Sequence, residues 1–102
     1  MWQKAHQLML HVYEFTKLLP ETEKYNRVMQ LKRAVSSIHA NIAEGFGRFH
    51  YLENVQFCRQ ARGSVKEVIH HIIAAMDLKQ APEGECAKLL AECAEVRLLL
   101  NS

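Results

Sequence analysis

The chain has 102 residues, a hydrophobic fraction of 49% and a formal net charge of +2. That length holds one domain with a single modest core. No run approaches the ~18 consecutive apolar residues of a membrane helix, and residues 1–6 lack the apolar core of a secretory signal, so a cytoplasmic protein is expected.

The first helix is expected over residues 2–19. Trp2, Ala5, Leu8, Met9, Val12, Phe15 and Leu19 recur at helical spacing on one side, and Pro20 stops it. The second begins near Thr22 or Glu23, where Glu21 and Glu23 complement the positive end of the helix dipole, and runs to about Gly45. Its apolar row is Val28, Leu31, Val35, Ile38 and Ile42. Beside it runs a polar row, Arg33, Ser37, Asn41, Glu44 and Arg48, at steps of three and four. Gly45 and Gly47 then permit a left-handed helix exit.

The third helix is expected from His50 or Tyr51 to about Leu78, burying Tyr51, Val55, Cys58, Ala61, Val65, Val68, Ile69, Ile72, Ile73 and Met76. Gly63 inside it costs roughly 1 kcal/mol against alanine, which suggests that another helix or a partner passes close by. Residues 80–84, with Pro82 and Gly84, form the last turn. The fourth helix, 85–100, carries a narrow polar stripe of Glu85, Lys88, Glu92 and Glu95, and nearly everything else in it is apolar. That exceeds what one bundle core requires, and Leu89, Leu90, Val96, Leu99 and Leu100 are expected to face another subunit. Short connections between long helices imply an all-α, antiparallel, up-down-up-down four-helix bundle spanning residues 1–102.

The charge is unevenly placed. Eight of the thirteen basic residues, but only Glu44 and Glu53 of the eleven acidic ones, lie between Lys24 and Lys66, so that segment carries +6 and the remainder −4. A basic middle favours an anionic partner. Arg27, Lys32, Arg48, Arg59, Arg62 and Lys66 are the candidate phosphate contacts, with Lys24 adding charge. No aromatics alternate with these bases along the chain, so backbone contacts with little sequence readout are expected.

Catalysis finds little support. No phosphate loop, nucleophile elbow or zinc spacing is present. Glu67 and His70 make one Glu-x-x-His pair, but a di-metal bundle site needs a second. Cys58, Cys86 and Cys93 sit in apolar helical rows with no Cys-x-x-Cys pair, the pattern of buried thiols. No cofactor or metal is expected. The polar row is read as structural, with Asn41 and Glu44 bonding a neighbouring helix or the Gly63-Ser64 stretch.

These residues together carry a resemblance over nearly the whole chain. Trp2-Gln3-Lys4-Ala5-His6, Val12-Tyr13, Leu19-Pro20, Glu23-x-Tyr25, Gln30-x-x-Arg33-Ala34 and Gly63-Ser64-x-x-Glu67 contribute. The strongest portion is Ser37-Ile38-x-Ala40-Asn41-Ile42-Ala43-Glu44-Gly45-x-Gly47-Arg48. The chain resembles a family of four-helix bundle proteins. That family includes proteins encoded in intervening sequences of bacterial large-subunit ribosomal RNA genes and accessory variability proteins of diversity-generating retroelements. The resemblance implies a bundle that assembles into a ring, commonly a homopentamer, with no catalytic residues. Its retroelement branch implies nucleic acid and a reverse transcriptase as partners. His39 stands where the family usually has proline, and His50 where it tends to have serine; a straighter second helix and a weaker cap on the third are expected. The reading is a non-catalytic oligomeric adaptor that holds nucleic acid; the alternative is a protein-interaction module without nucleic-acid affinity.

Overall fold

The structure, a computed structural model, describes residues 2–46 and 51–101. Four helices follow in order: α1 (Trp2–Thr16), α2 (Arg27–Phe46), α3 (Tyr51–Asp77) and α4 (Glu83–Asn101). A 3-10 turn at Glu21–Glu23 lies between α1 and α2. Cross-helix contacts fix their directions. His6 meets His39 while Tyr13 meets Ser36. Ser37 meets Ser64 while Arg27 meets His71, and Lys4 meets Glu95 while His11 meets Glu92. In each pair of contacts one residue number rises as the other falls, so α1–α2, α2–α3 and α1–α4 run antiparallel, as a bundle with short connections requires.

The core is built by apolar side chains at helical spacing from all four helices. Ala5, Leu8, Val12 and Phe15 of α1 meet Leu31, Val35, Ile38 and Ile42 of α2, and Ala61, Val65, Val68 and Ile72 of α3 close the other side. α4 contributes a single seam, Cys86, Leu89, Cys93, Val96 and Leu100. Among the described residues every buried side-chain nitrogen and oxygen has a hydrogen-bond partner, as native interiors demand.

Helix ends depart from the expected positions for local reasons. α1 stops at Thr16 rather than Leu19, because Lys17, Leu18 and Leu19 bond three residues back and tighten the chain ahead of Pro20. α2 starts at Arg27, not at Thr22 or Glu23. The Glu23 side chain instead caps it, with Oε1 accepting the Arg27 N–H at 3.3 Å. α3 ends in a Schellman arrangement: Lys79 takes the left-handed conformation (φ 57°), Gln80 N–H bonds Ala75 O and Lys79 N–H bonds Met76 O. The Pro82 carbonyl accepts the first bonds of α4 from Glu85 and Cys86, which draws Gly84 into the helix instead of the turn. α2 runs unbroken through His39, where no proline removes a backbone donor.

Gly63 needs a corrected explanation. A Cβ built on it has no heavy atom of the described residues within 4 Å, so no described helix presses on it. The residue is exposed on α3. Gly63→Ala is therefore expected to raise stability by up to about 1 kcal/mol, read as a higher urea midpoint with an unchanged slope. A drop in stability would show that another molecule occupies the space over Gly63 in the folded protein.

Candidate nucleic-acid interface

The structure sorts the basic residues into different roles. Arg59 and Lys66 are exposed on α3, two turns apart, and neither forms an ion pair among the described residues. Two turns of helix separate them by roughly 10 Å. Arg62, between them, is half-buried, and its Nη1 donates to the Leu100 carbonyl at 3.0 Å. It thereby satisfies a carbonyl that lacks an intrahelical donor at the end of α4, while a guanidinium there also suits the negative dipole end. Lys32 is half-buried on α2, with its ammonium 5.2 Å from the centre of the Tyr13 ring. Lys24 lies over Tyr25 and loosely pairs with Glu21 at 3.9 Å. Gly47, Arg48 and His50 lie outside the described residues.

Arg27 is not a phosphate contact, and that expectation is corrected. It is only 9% exposed. Its Nε donates to Gln80 Oε1 at 3.1 Å and its Nη1 to His71 Nδ1 at 3.0 Å, with the Glu23 carboxylate 3.7 Å away. Gln80 Nε2 in turn donates to Glu23 Oε2 at 2.7 Å. This network ties the α1–α2 connection to α3 and to the α3–α4 turn. The Gln80 hydrogen bond, with the Arg27 contacts, holds the Glu23 carboxyl below the usual carboxylate range, against the opposing effect of burial. Burial, then the nearby guanidinium, pushes the His71 imidazole below its ordinary value. Sequence reasoning missed the network because Arg27, His71 and Gln80 are 44 and 53 positions apart, with no local pattern to join them.

The polar row of α2 works between helices. Ser64 Oγ donates to Ser37 Oγ at 3.1 Å, and Asn41 Nδ2 donates to Ser37 O at 2.9 Å and to Ser37 Oγ at 3.2 Å. One turn back, Arg33 Nη2 lies 3.8 Å from Glu67 Oε2 and donates to Gln30 at 2.7 Å. Ser37 and Arg33 thus face the Ser64 and Glu67 positions of α3, setting the register of α2 against α3. Glu44 also takes part in an interaction of its own.

The expected subunit face on α4 is also corrected. Leu89, Val96 and Leu100 are 4%, 1% and 5% exposed within their own chain, so they have almost no surface left to give a second copy. Leu90 packs half-buried against the same core, and Leu99 is partly exposed. The surplus apolar character of α4 is outward and mostly small: Ala87, Ala91, Ala94 and the exposed Leu98. Between α4 and α1 lies an open cleft of about 600 Å³, lined by His11, Glu14, Leu18, Pro82, Lys88 and Glu92 among others.

Cys86 and Cys93 are buried and Cys58 half-buried, all without a disulfide. Burial pushes the Cys93 thiol up to about 12, which keeps it out of thiolate chemistry. Among the described residues no three His, Cys, Asp or Glu side chains gather to hold a metal ion, and no helix is long and apolar enough to cross a membrane.

Comparison with known proteins places this geometry in a group. The family model described as 23S rRNA-intervening sequence protein matches residues 1–102. The fold is similar to the crystal structure of a protein of unknown function from the S23 ribosomal protein family of Bacteroides thetaiotaomicron. The two share 17% identity and a TM-score of 0.90 over 97% of this chain and 93% of that one. No functionally curated protein matches the chain.

Proposed function

Because the chain belongs to the 23S rRNA-intervening sequence protein family, we propose that it is a non-catalytic adaptor that binds nucleic acid through a basic surface. The observation that carries this reading is the outward face of α3. There Arg59 and Lys66 present two cations with no ion-pair partner among the described residues, on either side of the bare backbone of Gly63. A phosphate backbone supplies anions at regular spacing, and two cations on one helix face can meet them. Self-association through the outward alanines of α4 would repeat the α3 face and multiply a weak contact. A pentameric ring is the form that the family resemblance suggests. The cleft between α1 and α4 is then free for a protein partner such as a reverse transcriptase.

The test is a charge reversal. Native protein is expected to bind a fluorescently labelled short duplex at low salt, and Arg59→Glu with Lys66→Glu to weaken that binding at least ten-fold while leaving the circular dichroism spectrum unchanged. Unchanged affinity would remove α3 from the interface. Absence of any binding by the native protein would leave the protein-interaction module as the reading.

A further inference from the structure

The seam between α1 and α2 holds a feature that neither helix has alone. From α1 come Trp2, His6 and Tyr13; from α2 come His39, Ser36 and Lys32. Trp2 stacks on His6 with ring centres 5.0 Å apart and planes 14° apart, and His39 leans against both rings at 5.1 and 5.3 Å. His6 Nδ1 and His39 Nε2 are 3.3 Å apart, so one imidazole donates to the other. Farther along, Tyr13 shares a hydrogen bond of 3.2 Å with Ser36, and the Lys32 ammonium sits 5.2 Å from its ring centre. Steps of three and four residues join the two groups along each helix, Ser36 to His39 and His6 through Met9 to Tyr13. The result is one strip, with Trp2 and Tyr13 about 16 Å apart along α1.

We propose that this strip is a stacking platform for single-stranded nucleic acid, an inference that rests on the nucleic-acid reading above and names its substrate class. Trp2 is 40% exposed and Tyr13 39%, which leaves ring surface for unpaired bases. Every base has a π-face, and a base in a duplex cannot offer it to a protein; stacking therefore selects single strands without reading sequence. The rings are held before the ligand arrives: Tyr13 by Ser36, Trp2 by its contact with His6. Holding them reduces the ordering cost of binding. The charge suits the same ligand. Lys32 lies on the strip, and Glu14, next to Tyr13 in the chain, is already paired with Lys17 at 3.1 Å. Cations beside aromatic rings bind phosphates and bases together.

Trp2 is the only tryptophan of the chain, so its emission reports on this strip and on no other. Titration of the full-length native protein with a twelve-residue oligothymidylate is expected to quench Trp2 emission to saturation, in step with the anisotropy of a labelled copy of the strand. A duplex of equal length is expected to leave the emission unchanged. Tyr13→Ala and Lys32→Glu should each weaken single-strand binding by roughly 5- to 100-fold while duplex binding keeps its native affinity. Tyr13→Phe should retain single-strand binding, which separates loss of the ring from loss of the hydroxyl. Emission that stays flat while anisotropy shows the single strand bound, or equal losses for strand and duplex in the Tyr13→Ala protein, would overturn the platform and leave the α3 interface standing. If native protein binds neither nucleic acid at low salt, the adaptor reading itself fails.

Discussion

Arg27→Ala is expected to cost about 3 kcal/mol of folding stability, an unusual toll for an arginine. Most surface arginines can be removed within about 0.5 kcal/mol. Arg27 differs because its side chain is buried beside Glu23 and donates to Gln80 and His71. Truncation leaves a buried carboxylate facing an empty space and removes the donor to His71 Nδ1. Gln80 and Asn26 still bond Glu23, which holds the loss to the lower end of the range for broken buried pairs. For a domain of this size the thermal midpoint should fall on the order of 12–24 °C. A loss below about 1 kcal/mol would mean that the network is not formed in solution.

The same network sets an acid limb. His71 has a folded value held below its ordinary 6.5, so between the two values the unfolded chain binds more protons than the folded one, and stability falls as the pH drops below about 6.5. Glu23 has a folded value held below its ordinary 4.5. Its contribution is complete above that pH and is lost as the pH falls through the lower folded value. Both shifts act in one direction, so stability should decline from pH 6.5 downwards and steepen below 4.5. Chemical denaturation of the native protein at a series of pH values would show the decline, and Arg27→Ala should lessen its upper part, because burial of His71 remains while the guanidinium's smaller effect is removed. A native protein that gains stability on going from pH 7 to 5 would contradict the assignment.

Ile72→Ala is the second large effect, with an expected loss of roughly 3–4 kcal/mol. Ile72 is fully buried on α3 among the core residues of the bundle. Removing its outer methyl groups loses their transfer energy and leaves a cavity that long, closely packed helices cannot readily collapse into. Urea unfolding should show a lower midpoint with an unchanged slope. A loss under 1.5 kcal/mol would show a core that repacks easily, and would weaken the claim that α3 is held rigidly enough to display its outer face.

The bundle was legible in the sequence because three of its helices carry a single apolar row. Ala5, Leu8, Val12 and Phe15, or Leu31, Val35, Ile38 and Ile42, admit only one inward face. α4 was different. With leucine, alanine, valine and cysteine on most of its circumference, periodicity could not choose a face, and the larger side chains were assigned outward when packing turns Leu89, Val96 and Leu100 inward. Small residues do the reverse, because an exposed alanine costs little. The register contacts were partly legible: the polar row pointed to the Gly63-Ser64 stretch, and Ser37 does meet Ser64.

Long-range pairings were not legible at all. Arg27 looks like any other base of the segment from Lys24 to Lys66; its bonds to His71 on α3 and to Gln80 in the α3–α4 turn exist only in the folded chain. The aromatic strip was hidden for the same reason. Tyr13 and Lys32 are 19 positions apart, with a connection and a 3-10 turn between them, so no window along the chain alternates rings with cations. Gly63 was read as a site of close helix approach, and the open space above it moves that reading from the inside of the bundle to its surface.

The claim that this protein holds nucleic acid is tested most directly by the salt dependence of binding. Affinity of the native protein for a labelled strand should be measured from about 50 to 200 mM salt. Arg59, Lys66 and Lys32, as three phosphate contacts at about −0.7 to −0.9 each, predict a plot of log affinity against log salt with a slope of about −2 or steeper. A flat plot, or no binding at the lowest salt, would contradict the account.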